Sequence, residues 1–199
     1  MTLREMKMER TRDLIGEVAF TLFRDKGFAA TTVEEIAAAA EVGARTVYRH
    51  YPTKEMLVLS SFGKMFDTAL LDLRACPEDT PVPEVLRVIL DSVLQSHLDR
   101  AEPLLTAYRI AKENQPVLAH FTLTMREWQR ELQRDVARRI GGRSADIVAE
   151  MAVAVTAAVF TTAFHQWFEQ DGRADLRHLT RVVLELTRSG EVPAPAPLA

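Results

Sequence analysis

Thr32-Val-Glu-Glu-Ile-Ala-Ala-Ala-Ala-Glu-Val-Gly-Ala-Arg-Thr-Val-Tyr-Arg-His-Tyr-Pro-Thr-Lys54 is the stretch whose reading decides the fold. It reads as two short helices joined by a tight turn, with a further helix beginning at its end. Thr32 stands as an N-cap, and Glu35 three residues on completes a T-x-x-E capping box. In that motif the hydroxyl takes the N3 amide and the carboxylate returns to the cap amide. Ile36 and Ala37 face inward, the small residue letting the two helices approach closely, and Val42 and Val47 supply the contacts that set their crossing. The second helix, Gly43 to Tyr51, carries Arg45, Thr46, Tyr48, Arg49 and His50 and no acid. Such a surface suits phosphate oxygens and base edges.

Working outward, Ile15, Val18, Ala19, Leu22 and Phe23 recur at i, i+3, i+4, i+7 and i+8. That period predicts a helix over 10–26, ended by Gly27. Residues 1–8 read as a polar arm. Downstream, Pro52 ends the third helix, and Thr53 is expected to cap a fourth that runs without a breaker to about Arg74 as one rod. Lys54 in its first turn opposes the helix dipole, and a bound phosphate would account for it. Further helices are predicted over 83–99, from Pro103 to before Pro116, and on to Ile140, where Gly141-Gly142 breaks the pattern. An eighth, capped by Ser144, reaches Gln170, and a ninth spans 174–189. No strand pattern occurs. The expected fold is all-α with about nine helices: an N-terminal three-helix helix-turn-helix domain (1–54), a helical-bundle ligand-binding and dimerisation domain (55–189) and a disordered tail (190–199) with three prolines.

The composition, 47% apolar and 27% charged over 199 residues, is that of a folded soluble protein. Net charge is −3; residues 1–60 hold nine basic and nine acidic residues, and the rest 16 and 19. Bulk charge therefore does not announce nucleic-acid binding, and any such reading rests on local charge. Cys76 is the only cysteine, so neither an intramolecular disulfide nor a Cys-type zinc site can form, which suits a reducing cytoplasm. The N-terminus lacks an apolar core, so no signal peptide is expected. The uncharged run Met151 to Phe168 has the length of a membrane span, but its Ala and Thr content and His165 and Gln166 point to a buried or interface helix, with no membrane partner. No G-x-S-x-G, P-loop, G-x-G-x-x-G or H-E-x-x-H occurs, so no catalytic, metal or cofactor site is expected.

Gly27-Phe28-Ala-Ala-Thr-Thr32, then Val33-Glu-Glu-Ile-Ala37, then Arg45-Thr-Val-Tyr-Arg-His-Tyr51-Pro-Thr-Lys54-Glu, together resemble the TetR family of bacterial transcriptional regulators over about residues 10–60. Two positions depart from the family pattern: Glu41 stands where the turn usually has Gly, and Gly43 where helix 3 is usually preceded by Ser or Thr. The resemblance implies a homodimer whose third helix enters the major groove of a double-stranded operator. It also implies pairing through the predicted eighth and ninth helices, and a small-molecule effector that releases a repressor from DNA in the bacterial cytoplasm and its nucleoid.

Arg45 and Arg49 lie four apart on one helix face, where each can pair bidentately with guanine or sit on phosphate. Thr46 can meet a thymine methyl or a phosphate. By resemblance Tyr48 and His50 fall near backbone phosphates, with Thr32 and Lys54 clamping from flanking helix starts, while Tyr51 packs inward. The family places its pocket among helices 4 to 8. Candidates are Phe62 and Phe66, then Leu90, Leu94 and His97, then Tyr108. His120, Phe121, Met125 and Trp128 follow on the seventh helix, and Phe160 and Phe164 on the eighth. Each is individually a core residue by default; their aromatic content suits an apolar ligand. Two other functions compete: an all-α enzyme or small-molecule carrier with a vestigial reader, and a constitutive DNA-binding protein without effector.

Overall fold

The T-x-x-E pattern starts two helices of this protein. The computed structural model describes residues 2–193, and α1 (Leu3–Lys26) begins at its second residue. The Thr2 hydroxyl accepts the Glu5 amide at 3.2 Å, while the Thr2 amide donates to the Glu5 carboxylate at 2.7 Å. The expected polar arm is therefore helix: the box satisfies amides that would otherwise fray the end. Thr32 and Glu35 do the same for α2 (Val33–Ala39), as the sequence predicts. Then follow α3 (Ala44–His50), α4 (Lys54–Val58), α5 (Ser60–Ala75), α6 (Val82–Asp99), α7 (Ala101–Glu113), α8 (Gln115–Ile140), α9 (Ala145–Glu169) and α10 (Leu176–Ser189). The described residues thus hold ten helices rather than nine, and no strand. Residues 194–199, most of the expected disordered tail, lie outside the described residues.

The extra helix comes from a break at Leu59, where a continuous rod was expected. Leu57, Val58 and Leu59 are all buried, at 0%, 0% and 9% exposure. Successive helical side chains point about 100° apart, so one straight helix cannot bury three in a row against one surface. The backbone turns at Leu59, with φ −85° and ψ −2°.

The chain forms two compact units, one from residues 1–67 with 102–128 and one from 68–101 with 129–199. In the first, Ile15, Ala19, Ile36, Val47 and Leu57 are fully buried. Each branched aliphatic side chain among them stabilises by about 1.5–3 kcal/mol, against about 1 kcal/mol for a cap; caps set where helices start, and packing holds them. α1 carries Gly16 at its closest approach: a Cβ there would sit 3.0 Å from the Ser60 hydroxyl. Tyr51 is buried, and its hydroxyl donates to the Arg12 carbonyl at 3.1 Å.

In the second unit α9 packs on α10 and α6. Its core joins Ile89, Val93 and Leu94 of α6 to Val153, Phe160, Phe164 and Trp167 of α9 and Leu176 of α10. Arg139, whose side chain is 4% exposed, ion-pairs with Asp135 at 2.8 Å. The same guanidinium donates to the carbonyls of Pro77 at 2.6 Å and Cys76 at 3.1 Å, closing carbonyls that the end of α5 leaves open. Two expected caps differ: neither Thr53 nor Ser144 makes a side-chain cap bond. α10 begins two residues later than predicted because Asp175 caps it, accepting the His178 amide at 3.0 Å.

Candidate nucleic-acid interface

α2 and α3 meet through a turn whose geometry forces one residue into the left-handed region. The Val42 amide donates to the Ala37 carbonyl at 2.9 Å and the Glu41 amide to the Ala38 carbonyl at 3.1 Å. This Schellman closure needs a positive φ at its C′ position, and Glu41 takes it at φ 54°. A non-glycine residue there costs about 1–2 kcal/mol. Ala37 and Val47, 3% and 0% exposed, pack beneath the turn.

With Val47 pinned inward, α3 has one orientation. Arg45, Tyr48 and Arg49 fall at i, i+3 and i+4 and are exposed together. Thr46 and His50 are half-buried at the edges of that face. The face carries two cations and no carboxylate. His50 is kept below its ordinary pKa by desolvation, then by Arg49 and Arg12. Its Nε2 is shut from solvent, with no hydrogen-bond partner among the described residues.

Thr32 is exposed at the start of α2, its hydroxyl held in the capping box. Glu35 is pulled down to about 2, first by Lys26 and then by the Thr32 amide. Lys54 contacts groups of its own chain. Its ammonium donates to the carbonyls of Phe28 at 2.8 Å and Thr31 at 3.0 Å and lies 4.3 Å from the centre of the Phe28 ring. Open carbonyls in the loop between α1 and α2 attract the cation that the start of α4 repels. Lys54 therefore fixes the loop that presents Thr32.

The effector candidates fall into two groups, one in each unit. In the first, Phe62, Tyr108 and Phe121 meet edge to face, with ring centres 4.9 to 5.4 Å apart. Phe66 stacks on Trp128 at 5.0 Å. Desolvation pushes the Tyr108 phenol well above its ordinary range. The Trp128 Nε1 is shut from solvent and has no hydrogen-bond partner among the described residues. Met125 and His120 are half-buried on α8, and His120 Nδ1 sits 3.2 Å from the Pro116 carbonyl. In the second unit, His97 of α6 lies 4.8 Å from Phe160 and 5.4 Å from Phe164, ring to ring. Its Nδ1 is 2.8 Å from the Val93 carbonyl, and desolvation brings its pKa down to about 4. Leu94 is buried and Leu90 half-buried on the same helix. Among the described residues no three His, Cys, Asp or Glu side chains gather as metal ligands.

Two family models match the chain: that of bacterial regulatory proteins, tetR family, over residues 15–60, and that of the MftR C-terminal domain over residues 80–191. The HTH-type transcriptional regulator TcmR of Streptomyces glaucescens is 31% identical over 125 residues, 60% of this chain and 55% of that protein. The chain spans about half the length, or less, of the curated relatives it matches. Among solved structures, Thermus thermophilus FadR, a TetR-family transcriptional repressor in complex with lauroyl-CoA, has a TM-score of 0.55 at 23% identity, covering 94% of this chain and 98% of that one. NalD, the secondary repressor of the MexAB-OprM multidrug efflux pump in Pseudomonas aeruginosa, has a TM-score of 0.59 at 20% identity, covering 92% and 96%. At these identities the two structures share the fold.

Proposed function

The chain belongs to the tetR family of bacterial regulatory proteins, and from that premise we propose that it is a sequence-specific DNA-binding transcriptional regulator, a repressor released from a palindromic operator by a small, largely apolar ligand. Residues 1–54 serve as the DNA-binding domain, residues 55–189 as the regulatory and dimerisation domain, and 190–199 as a tail. The protein works in the bacterial cytoplasm, on the nucleoid when bound to its operator, and is not an enzyme.

The observation that carries this reading is the acid-free face of α3, with Arg45, Tyr48 and Arg49 exposed around a buried Val47. Arg45 and Arg49 read base edges; Thr32, Thr46, Tyr48 and His50 position the helix on the backbone. Lys54 acts one step back, through the loop it holds. Pairing of two copies through α9 and α10 sets two such helices on a twofold axis, so the half-sites lie about one helical turn, or a multiple of it, apart. Ile147, Met151 and Val155 of α9, at 69%, 60% and 42% exposure, supply the apolar surface for that pairing. The aromatic side chains around Phe62 and around His97 favour an apolar effector.

The test is selection of duplexes from a randomised pool with wild-type protein, then anisotropy titration of the winner at fixed salt. Arg49→Ala lowers affinity for the selected duplex by roughly 10- to 100-fold, the range of one bidentate base contact, and leaves the circular dichroism unchanged. Wild-type affinity in that variant would remove Arg49 from the reading face.

A further inference from the structure

The opening turns of α1 carry residues that the function above does not use. Arg4, Lys7, Met8 and Thr11 fall at i, i+3, i+4 and i+7, one face of the helix. That face, with Leu3, lines one side of a groove of about 460 Å³; Arg49 and His50 of α3 line the other. We propose that this groove is a second DNA-contacting surface, in which Arg4 and Lys7 take backbone phosphates of the strand flanking the half-site read by α3. The inference rests on the DNA-binding reading and extends it beyond the helix-turn-helix.

Three observations carry it. First, all the formal charge lining the groove is positive: Arg4, Lys7 and Arg49 line it, and no carboxylate does. The two acids of these turns are elsewhere, since Glu5 bonds the Thr2 amide and Glu9 does not line the groove. Grouped cations repel one another, and an anion lying among them removes that penalty. Second, the groove is continuous with the reading face, because Arg49 belongs to both. A duplex seated on α3 passes its backbone into it. Third, the capping box makes Arg4 and Lys7 part of an ordered helix. Their backbone positions are set before binding, so less backbone entropy is lost on contact. Leu3 and Met8, 65% and 46% exposed, give the groove apolar walls against which deoxyribose packs. The Thr11 hydroxyl is turned to the Lys7 carbonyl at 2.9 Å, which leaves the two cations as the donors.

The experiment compares wild type, Arg4→Ala/Lys7→Ala, Arg4→Lys/Lys7→Arg and Arg49→Ala on a duplex selected from a randomised pool by wild type, titrated from 50 to 300 mM salt. The same duplex trimmed of its outer base pairs is titrated alongside. The alanine pair is expected to bind about tenfold more weakly near 0.15 M salt, with the slope of log affinity against log salt shallower by about 2. Its base preference stays that of wild type, and the charge-conserving pair restores affinity. Trimming weakens wild type and leaves the alanine pair unaffected. Unchanged affinity and slope in the alanine pair, with Arg49→Ala weakened, overturns this inference alone. Wild-type protein that enriches no sequence overturns the DNA-binding reading and this inference with it. Both side chains are exposed, so an unchanged melting temperature verifies the fold of each variant.

Discussion

α3 has seven residues, buries only Val47 completely and turns Arg45, Tyr48 and Arg49 to solvent; α9 has 25, buries eight and still leaves Ile147, Met151 and Val155 outside. Water satisfies the exposed face of α3. It does not satisfy that of α9, where an apolar stripe at i, i+4 and i+8 continues past the unit's own core. Among the described residues α9 alone is long and apolar enough to cross a membrane. Yet Val153, Phe160, Ala163, Phe164 and Trp167 are its core contacts. A helix with one apolar face buried and part of another bare offers a second apolar packing surface. The contrast is between a helix proposed to meet a charged polymer and one proposed to meet a copy of itself.

The largest effect is expected where that contrast is broken outright. Met151→Asp places a charge on the bare stripe of α9. It should turn a dimer into a monomer by light scattering at micromolar concentration and weaken operator binding by about a thousandfold, since two half-sites are no longer engaged together. A dimer with full affinity would show that the pairing lies elsewhere.

The inner face of α9 gives the next effect. His97 lies against Phe160 and Phe164 and titrates near 4 when folded, against 6.5 ordinarily. Between those values the unfolded chain binds a proton that the native protein refuses. Stability is thus full above pH 6.5 and falls as pH drops toward 4, by about 3 kcal/mol from this residue. Urea unfolding at pH 7.5 and 4.5 measures the drop, and His97→Gln should lose that share of it. Identical pH profiles for the two proteins would contradict the burial of a neutral ring.

Back at the reader, Lys54→Met removes two charge-assisted bonds to carbonyls and should cost about 2 kcal/mol of stability. A lysine that served only as a phosphate contact would lose DNA affinity with no change in the urea midpoint. Smallest of all, Glu41→Gly relieves the left-handed turn and is expected to stabilise by about 1 kcal/mol. A loss of stability instead would mean that the Glu41 side chain holds the turn.

Much of the reader was legible because its signals are local. Thr32 and Glu35, Gly27, Pro52 and the buried Val47 act within four residues of themselves. The same T-x-x-E at Thr2 and Glu5 is a weaker signal because no apolar stripe follows it before Ile15. Periodicity marks a buried face, and these turns of α1 are mostly exposed. Arg4 and Lys7 lie on that exposed surface and carry no periodic signal. The contacts of Lys54 lie out of reach of local pattern for a related reason. Its position at a helix start was visible, but the carbonyls of Phe28 and Thr31 that hold it come from more than twenty residues away. Arg139 gave no signal beyond a basic last turn of α8.

By itself the sequence determined the helical period, the capping box at Thr32, the family resemblance and the acid-free composition of α3, because these depend on neighbours along the chain. Tertiary structure decided what depends on partners distant in sequence. It broke the rod at Leu59, where three consecutive apolar residues had to be buried. It gathered Phe62 with Tyr108 and Phe121 in one unit and His97 with Phe160 and Phe164 in the other. It drew Lys54 onto open carbonyls and set Arg4 and Lys7 across from Arg49. Periodicity gives each helix its faces; which faces meet is settled only when the helices compete for the same buried surface.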